Sequence, residues 1–203
     1  MIETLYILSL IALIIVYIHI YKNQACYVEA YDQKFLVRNL DDKKKAALIM
    51  YKLRTKLLNF IKELCEDFDN NNIEKDKLKF HKFCKTIRKK LPYTIFKEAS
   101  SESNYTSYSI NKGETLVMCI RSKETNEIHD FDLLMYVAVH EIAHIGCPEI
   151  GHTPLFNLIN EFLLKEASKR KYYTYKDYSI DPKEYCGIEI TSNIIAKYMR
   201  GFY

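Results

Sequence analysis

At 203 residues, 48 % of them hydrophobic, the chain has room for one domain with a sizeable core plus an appendage. Thirty basic and 26 acidic residues are interspersed and leave a net charge of +4, so the composition permits contact with an anionic membrane or a nucleic acid and demands neither. The six cysteines (Cys26, Cys65, Cys84, Cys119, Cys147 and Cys186) contain no C-x-x-C pair, which excludes a zinc knuckle; scattered over predicted helices and strands, they are expected to be buried free thiols of a reducing compartment.

From Thr4 to Tyr21 no side chain is charged. As a helix this segment rises about 27 Å, close to the hydrocarbon thickness of a bilayer, which predicts one N-terminal transmembrane helix. No basic region precedes it and no small-x-small cleavage site follows, so it reads as an uncleaved anchor. Only Glu3 lies before it, whereas Lys22, Lys34, Arg38 and Lys43 to Lys45 lie after it, and the positive-inside rule then places the rest of the chain on the cytoplasmic side.

Residues 23–40 read as a linker with extended pieces around Tyr27 to Tyr31 and Lys34 to Arg38. Asp41-Asp42 opens a helix in which Met50, Leu53, Leu57, Phe60, Ile61 and Leu64 recur at three- and four-residue spacing, the mark of a face packed on a core. Asp69 to Asn72 ends it. A second helix is expected from about Ile73 to Leu91, with Phe80, Phe83, Cys84 and Ile87 on one side and Lys79, Lys82, Lys85, Arg88, Lys89 and Lys90 on another. That basic face is a solvated surface or, in the sharper reading, a surface for nucleic-acid phosphates.

Pro92 stops this helix, and a strand is expected at Tyr93 to Phe96. Tyr105 to Ile110 alternates in strand fashion, Asn111-Lys-Gly113-Glu supplies a turn, and Thr115 to Arg121 returns as a second strand. Ser122 to His129 is a polar connection to a helix with Asp130 or Asp132 as its N-cap.

That helix carries Val139-His140-Glu141-Ile142-Ala143-His144. Residues four apart lie one turn above each other, so His140 and His144 offer two imidazoles to one ion. Glu141 follows the first histidine by one position, which swings its carboxylate to the edge of the same face, where it serves as general base for a water activated by Zn2+. A match to this motif arises by chance in about one chain in a hundred of this length. A catalytic zinc needs one further protein ligand. Gly146, Pro148 and Gly151 break the helix and let the backbone return, so His152 is the candidate, with Glu161 or Glu166 of the next helix as competitors. Cys147, three residues past His144, is a small residue in the turn or a fourth ligand.

Thr153-Pro154 starts another helix with Leu155, Phe156, Leu158, Ile159, Phe162 and Leu163 packing behind the zinc helix. After a basic, tyrosine-rich segment and a turn at Asp181-Pro182 come a short strand or loop at Tyr185 to Ile190 and a final helix over Asn193 to Arg200. Tyr185 and Tyr178 are candidates to donate a hydrogen bond to a tetrahedral oxyanion, and Tyr105 and Tyr108, on the hairpin strand, are candidates for substrate contact.

Several blocks together, Tyr105 to Glu114, Leu116 to Ser122, His140 to His144, Gly151-His-Thr-Pro154 with Phe156, and Tyr185-Cys-Gly187, resemble a family of zinc metallopeptidases encoded by nucleocytoplasmic large DNA viruses. That family is similar in its metal motif to the WLM and SprT-like proteases. The resemblance covers about residues 28–190 and implies a zincin domain with His140, His144 and His152 as ligands and Glu141 as base. Leu155 and Asn157 flank Phe156 where the family's pattern has an acidic residue and a tryptophan, a departure that bears on local packing or substrate contacts.

The expectation is thus an α+β fold: a zincin-like domain with an active-site helix and a small antiparallel sheet or hairpin, preceded by one transmembrane helix. Residues 1–22 form the anchor, 23–40 the linker and 41–203 the metallopeptidase domain. The expected function is zinc-dependent hydrolysis of a protein or peptide substrate at a membrane, with the Tyr105 to Ile110 strand either holding the extended chain by strand addition or serving as plain structural sheet. Two rivals stand beside it: a non-catalytic, zinc-stabilised scaffold of a membrane or virion, and a DNA-associated protease of the SprT or WLM kind.

Overall fold

The computed structural model describes residues 2–191 and 194, so the final helix expected over 193–200 falls, apart from Ile194, outside the described residues. Helix α1 (Ile2–Asn23) leads into strands β1 (Ala25–Ala30) and β2 (Gln33–Arg38), an antiparallel pair turned at Tyr31-Asp32. Among the described residues no helix is long and apolar enough to cross a membrane. This corrects the expected transmembrane anchor, and with it the single-pass placement and the cytoplasmic orientation.

Residues 23–40 are more than a linker: β1 and β2 are the first two strands of a five-stranded sheet. Helix α2 (Lys43–Asp69) follows and lies across β1 and β2, its predicted apolar stripe from Met50 to Leu64 at most 1 % exposed. A 3-10 turn at Lys75–Phe80 and helix α3 (His81–Lys90) replace the single helix expected over 73–91. Pro92 ends that unit in another 3-10 turn, and β3 (Ile95–Glu98) enters the sheet parallel to β2. Strands β4 (Tyr108–Ile110) and β5 (Thr115–Met118) form the expected hairpin, shorter than the alternation suggested, and β5 also pairs in parallel with β3.

The strand order is therefore β1-β2-β3-β5-β4, a mixed sheet and not a small antiparallel one. The reason is topological: the chain crosses over through α2 and α3 before re-entering the sheet, and a crossover of that length returns a strand in the same direction as the one it left. Strand β4 is left at an edge. Helix α4 (Phe131–Gly146) packs among α2, α3, α5 (Pro154–Lys169) and β4, and a separate hairpin, β6 (Lys183–Tyr185) with β7 (Ile188–Ile190), closes the described chain.

Asp42, expected to cap α2, makes no side-chain cap bond; its carboxylate instead accepts from Arg121 Nη1 at 2.6 Å. Arg121 is buried, and its Nε donates to the buried Glu98 carboxylate at 2.8 Å while Nη1 also donates to the Asn126 carbonyl. Replacing Arg121 by methionine leaves Glu98 a buried carboxylate with the Arg38 N–H, at 2.7 Å, as its remaining hydrogen-bond donor. Breaking such a pair should cost about 3–5 kcal/mol, read as a lowered midpoint in chemical denaturation.

Candidate metal centre

Helix α4 begins at Asp130, whose carboxylate accepts from the N–H groups of Asp132 and Leu133 at 3.1 and 3.3 Å, settling which aspartate is the cap. Leu134, Met135, Ala138, Val139, Ile142 and Ala143 bury the other faces completely, so the helix has no freedom to rotate and one face is left for His140 and His144. Gly146 permits the packing of α3: a Cβ there would meet the Ile87 side chain at 2.9 Å. Cys147 is extended (φ −73, ψ 128) and ends the helix, and Gly151 at φ +81 turns the chain so that His152 comes back over the histidine face.

His152 Nε2 lies 3.0 Å from His140 Nε2 and 3.2 Å from His144 Nε2. For metal–nitrogen bonds of about 2.0–2.1 Å, tetrahedral ligands sit about 3.3 Å apart, so this spacing fits zinc. Burial first, and the neighbouring histidines second, push His140 down to about 3, and burial with the His152 and Lys112 charges pushes His144 to about 4. The His140 and His144 rings are therefore neutral at physiological pH, each able to offer an Nε2 lone pair to a cation. Among the described residues these three histidines are the group able to hold a metal ion.

Phe156 of α5 stacks on His144 (centroids 4.0 Å, 20° between planes) and meets His140 and His152 edge-on at 4.9 Å each, fixing the rotation of the three rings from behind. Asn160, on the same helix and fully buried, places its amide 3.2 Å from His140 Nδ1. An imidazole that offers Nε2 as a ligand carries its proton on Nδ1, so the group facing it must be an acceptor. Orienting the amide with Oδ1 toward His140 also supplies the partner that Oδ1 otherwise lacks. Asn160→Leu should weaken zinc binding about 10–100-fold, whereas Asn160→Asp, which keeps an acceptor there, should retain it; chelator competition measures both.

Glu141 is 4 % exposed, and its Oε2 has no hydrogen-bond partner. Burial pushes its carboxyl up to about 8; a divalent cation beside it acts in the opposite direction. Glu141 and the three histidines line a cavity of about 870 Å³ whose opposite walls come from β4 and the β6–β7 hairpin. Tyr185, buried, lines the same cavity with its hydroxyl 2.6 Å from Ser107 Oγ, which in turn accepts from the Cys119 N–H at 2.9 Å. Tyr108 also lines it. Tyr105 is 70 % exposed and lies outside the lining, edge-on to Tyr108; Tyr178, buried, also lies outside it and packs on Tyr136, which does line the cavity.

The competing ligands are engaged elsewhere. Glu161 pairs with Lys165 at 2.6 Å, and the buried Glu166 is held by Lys77 at 3.0 Å and Arg170 at 3.1 Å. Cys147 is buried and stands apart from the histidine cluster. On the basic face of α3, His81, Lys85 and Arg88 all turn to Asp69, and Lys90 donates to the Lys112 carbonyl, so much of that charge is answered within the chain.

The cysteines depart from expectation. Cys119 and Cys186 form a disulfide, and Cys26, Cys65, Cys84 and Cys147 are free. The bonded pair is 67 residues apart, with Cα atoms brought to 6.3 Å by the seating of the β6–β7 hairpin against the end of β5, a proximity no spacing along the chain announces. The argument from free thiols to a reducing compartment loses its premise. Sequence reasoning also missed Asn160, Ser107 and Lys112. For Asn160 a signal existed: it is a polar residue within the apolar face of α5, between Ile159 and Phe162.

The chain is similar to protein R325 of Acanthamoeba polyphaga mimivirus, 32 % identical over 191 residues that span 93 % of this chain and 94 % of the relative. It is also similar to protein 042R of Invertebrate iridescent virus 3, 35 % identical over 46 % of this chain and 57 % of that protein, and to protein 136R of Invertebrate iridescent virus 6, 36 % identical over 39 % and 45 %. All three are described as uncharacterized proteins of large DNA viruses, and none is named for zinc or for an activity. No family model matches the chain, and no solved structure matches it.

Proposed function

The chain belongs to the viral protein family that includes mimivirus R325, and from the site it carries we propose that it is a zinc-dependent endopeptidase. The observation that carries the reading is one cavity in which three imidazoles converge beside a buried carboxylate, Glu141, that has an oxygen without a partner. His140, His144 and His152 would hold the metal. Zinc bound there supplies a Lewis acid that polarises a carbonyl oxygen and makes water acidic enough to attack near neutral pH.

The remaining work falls to side chains and backbone of this protein. Glu141 accepts the proton of the attacking water and delivers it to the departing amide nitrogen, a role served by its place one residue after His140 and by its Oε2, which has no hydrogen-bond partner. Strand β4, at the sheet edge and lining the cavity through Tyr108 and Ser109, offers main-chain groups to an extended polypeptide. Tyr185, held by Ser107, stands on the far wall as a hydrogen-bond donor toward charge developing on the substrate oxygen.

The test is cleavage of a mixed peptide library by the full chain. Fragments should appear, cease on addition of a chelator and return on addition of zinc. A zinc-loaded protein that cleaves nothing in the library would leave the scaffold reading in place of this one.

A further inference from the structure

His152 is the ligand least determined by regular structure. His140 and His144 ride on a buried helix, but residues 148–152 are exposed, the helix has ended at Cys147, and Gly151 has open space around it. A side chain from a distant element holds this segment. Lys112, in the turn between β4 and β5, donates from Nζ to the carbonyl oxygen of Cys147 at 2.9 Å and to that of Glu149. Both carbonyls belong to the stretch between His144 and His152.

The turn is built to aim this lysine. Asn111, Lys112 and Gly113 all have positive φ (49, 53 and 105), a region that a lysine seldom occupies. Gly113 is pressed on the zinc helix so closely that a Cβ would lie 2.9 Å from the Ile145 side chain. Lys90 Nζ, from the end of α3, donates to the Lys112 carbonyl at 3.0 Å and steadies the turn from the other side. The Lys112 side chain is half-buried, lining both the histidine cavity and a smaller groove beside α3 and Cys147. A charged donor shared by two main-chain carbonyls is a stronger tether than a neutral hydrogen bond.

We propose that Lys112 is a positioning residue of the metal centre: it clamps the loop that presents His152, so zinc affinity depends on Lys112 through the third imidazole. Because Lys112 sits in the turn that ends the edge strand, the same side chain sets the distance between strand β4 and the ligand loop. The inference rests on reading the three histidines as zinc ligands and is independent of whether the centre hydrolyses anything.

Zinc affinity of the full chain, measured by competition with a chromophoric chelator, tests this in the wild type, Lys112→Met, Lys112→Arg, His152→Ala and the Lys112→Met/His152→Ala double variant. Thermal unfolding of each metal-free protein accompanies it. Methionine keeps the aliphatic stem and removes the donor, and should weaken binding at least about tenfold, in the range seen when supporting groups around a metal are removed. Arginine should restore much of the loss, with the metal-free midpoint nearly unchanged throughout.

In the His152→Ala background the Lys112→Met change should have no further effect, since the loop it clamps no longer carries a ligand. Wild-type affinity in Lys112→Met, an equal loss in both backgrounds, or a metal-free Lys112→Met or Lys112→Arg chain that no longer folds would each overturn the clamp while leaving the zinc site standing. A wild-type chain that binds no zinc would overturn both.

Discussion

Glu141→Gln should leave zinc bound at wild-type stoichiometry and lower peptide hydrolysis about 10²–10⁴-fold, the range associated with loss of a general base. The substitution is nearly isosteric and sits where the wild-type carboxylate is 4 % exposed, so the helix and the neighbouring histidines stay in place. What changes is proton affinity: an amide cannot accept the proton of the attacking water or return it to the leaving nitrogen. Metal analysis and single-turnover cleavage on the same preparation separate the two effects. Full turnover in this variant would remove Glu141 from the chemistry and return the cavity to a binding role.

His152→Ala is the second decisive change. It removes one of the three proposed ligands while leaving the α4 pair, and the helix that carries them, untouched. Two imidazoles at four-residue spacing bind zinc weakly, so affinity should fall by more than about a hundredfold, beyond the loss expected from a supporting residue such as Asn160. Hydrolysis should fall with it and recover in part at high zinc concentration. An affinity equal to that of the wild type would mean that His152 does not complete the site; Glu161 and Glu166, committed to Lys165, Lys77 and Arg170, do not stand ready to replace it.

Much of this was legible in the chain. The apolar stripe of α2, the β4–β5 hairpin and the helix break after His144 are local patterns, since each follows from periodicity or from the conformational limits of glycine and proline within a few residues. The spacing of His140 and His144 is of the same kind, because one turn of helix fixes their relation without help from the rest of the fold. The N-terminal segment shows where such reading fails: absence of charge suggested a membrane span, and among the described residues no helix meets the requirement for one.

What the amino-acid order determined by itself, then, is the pair of histidines, the glutamate beside them and the turn that brings a third histidine within reach. The tertiary structure alone decided the rest: the parallel pairing of β3 with β2 and β5, the Cys119–Cys186 bond, the Asn160 amide behind His140, and the reach of Lys112 to the His152 loop. Each of these joins residues about 20 or more positions apart. Such contacts depend on how α2, α3 and the sheet pack, and packing is settled by shape and burial across the whole core, which no window along the chain contains.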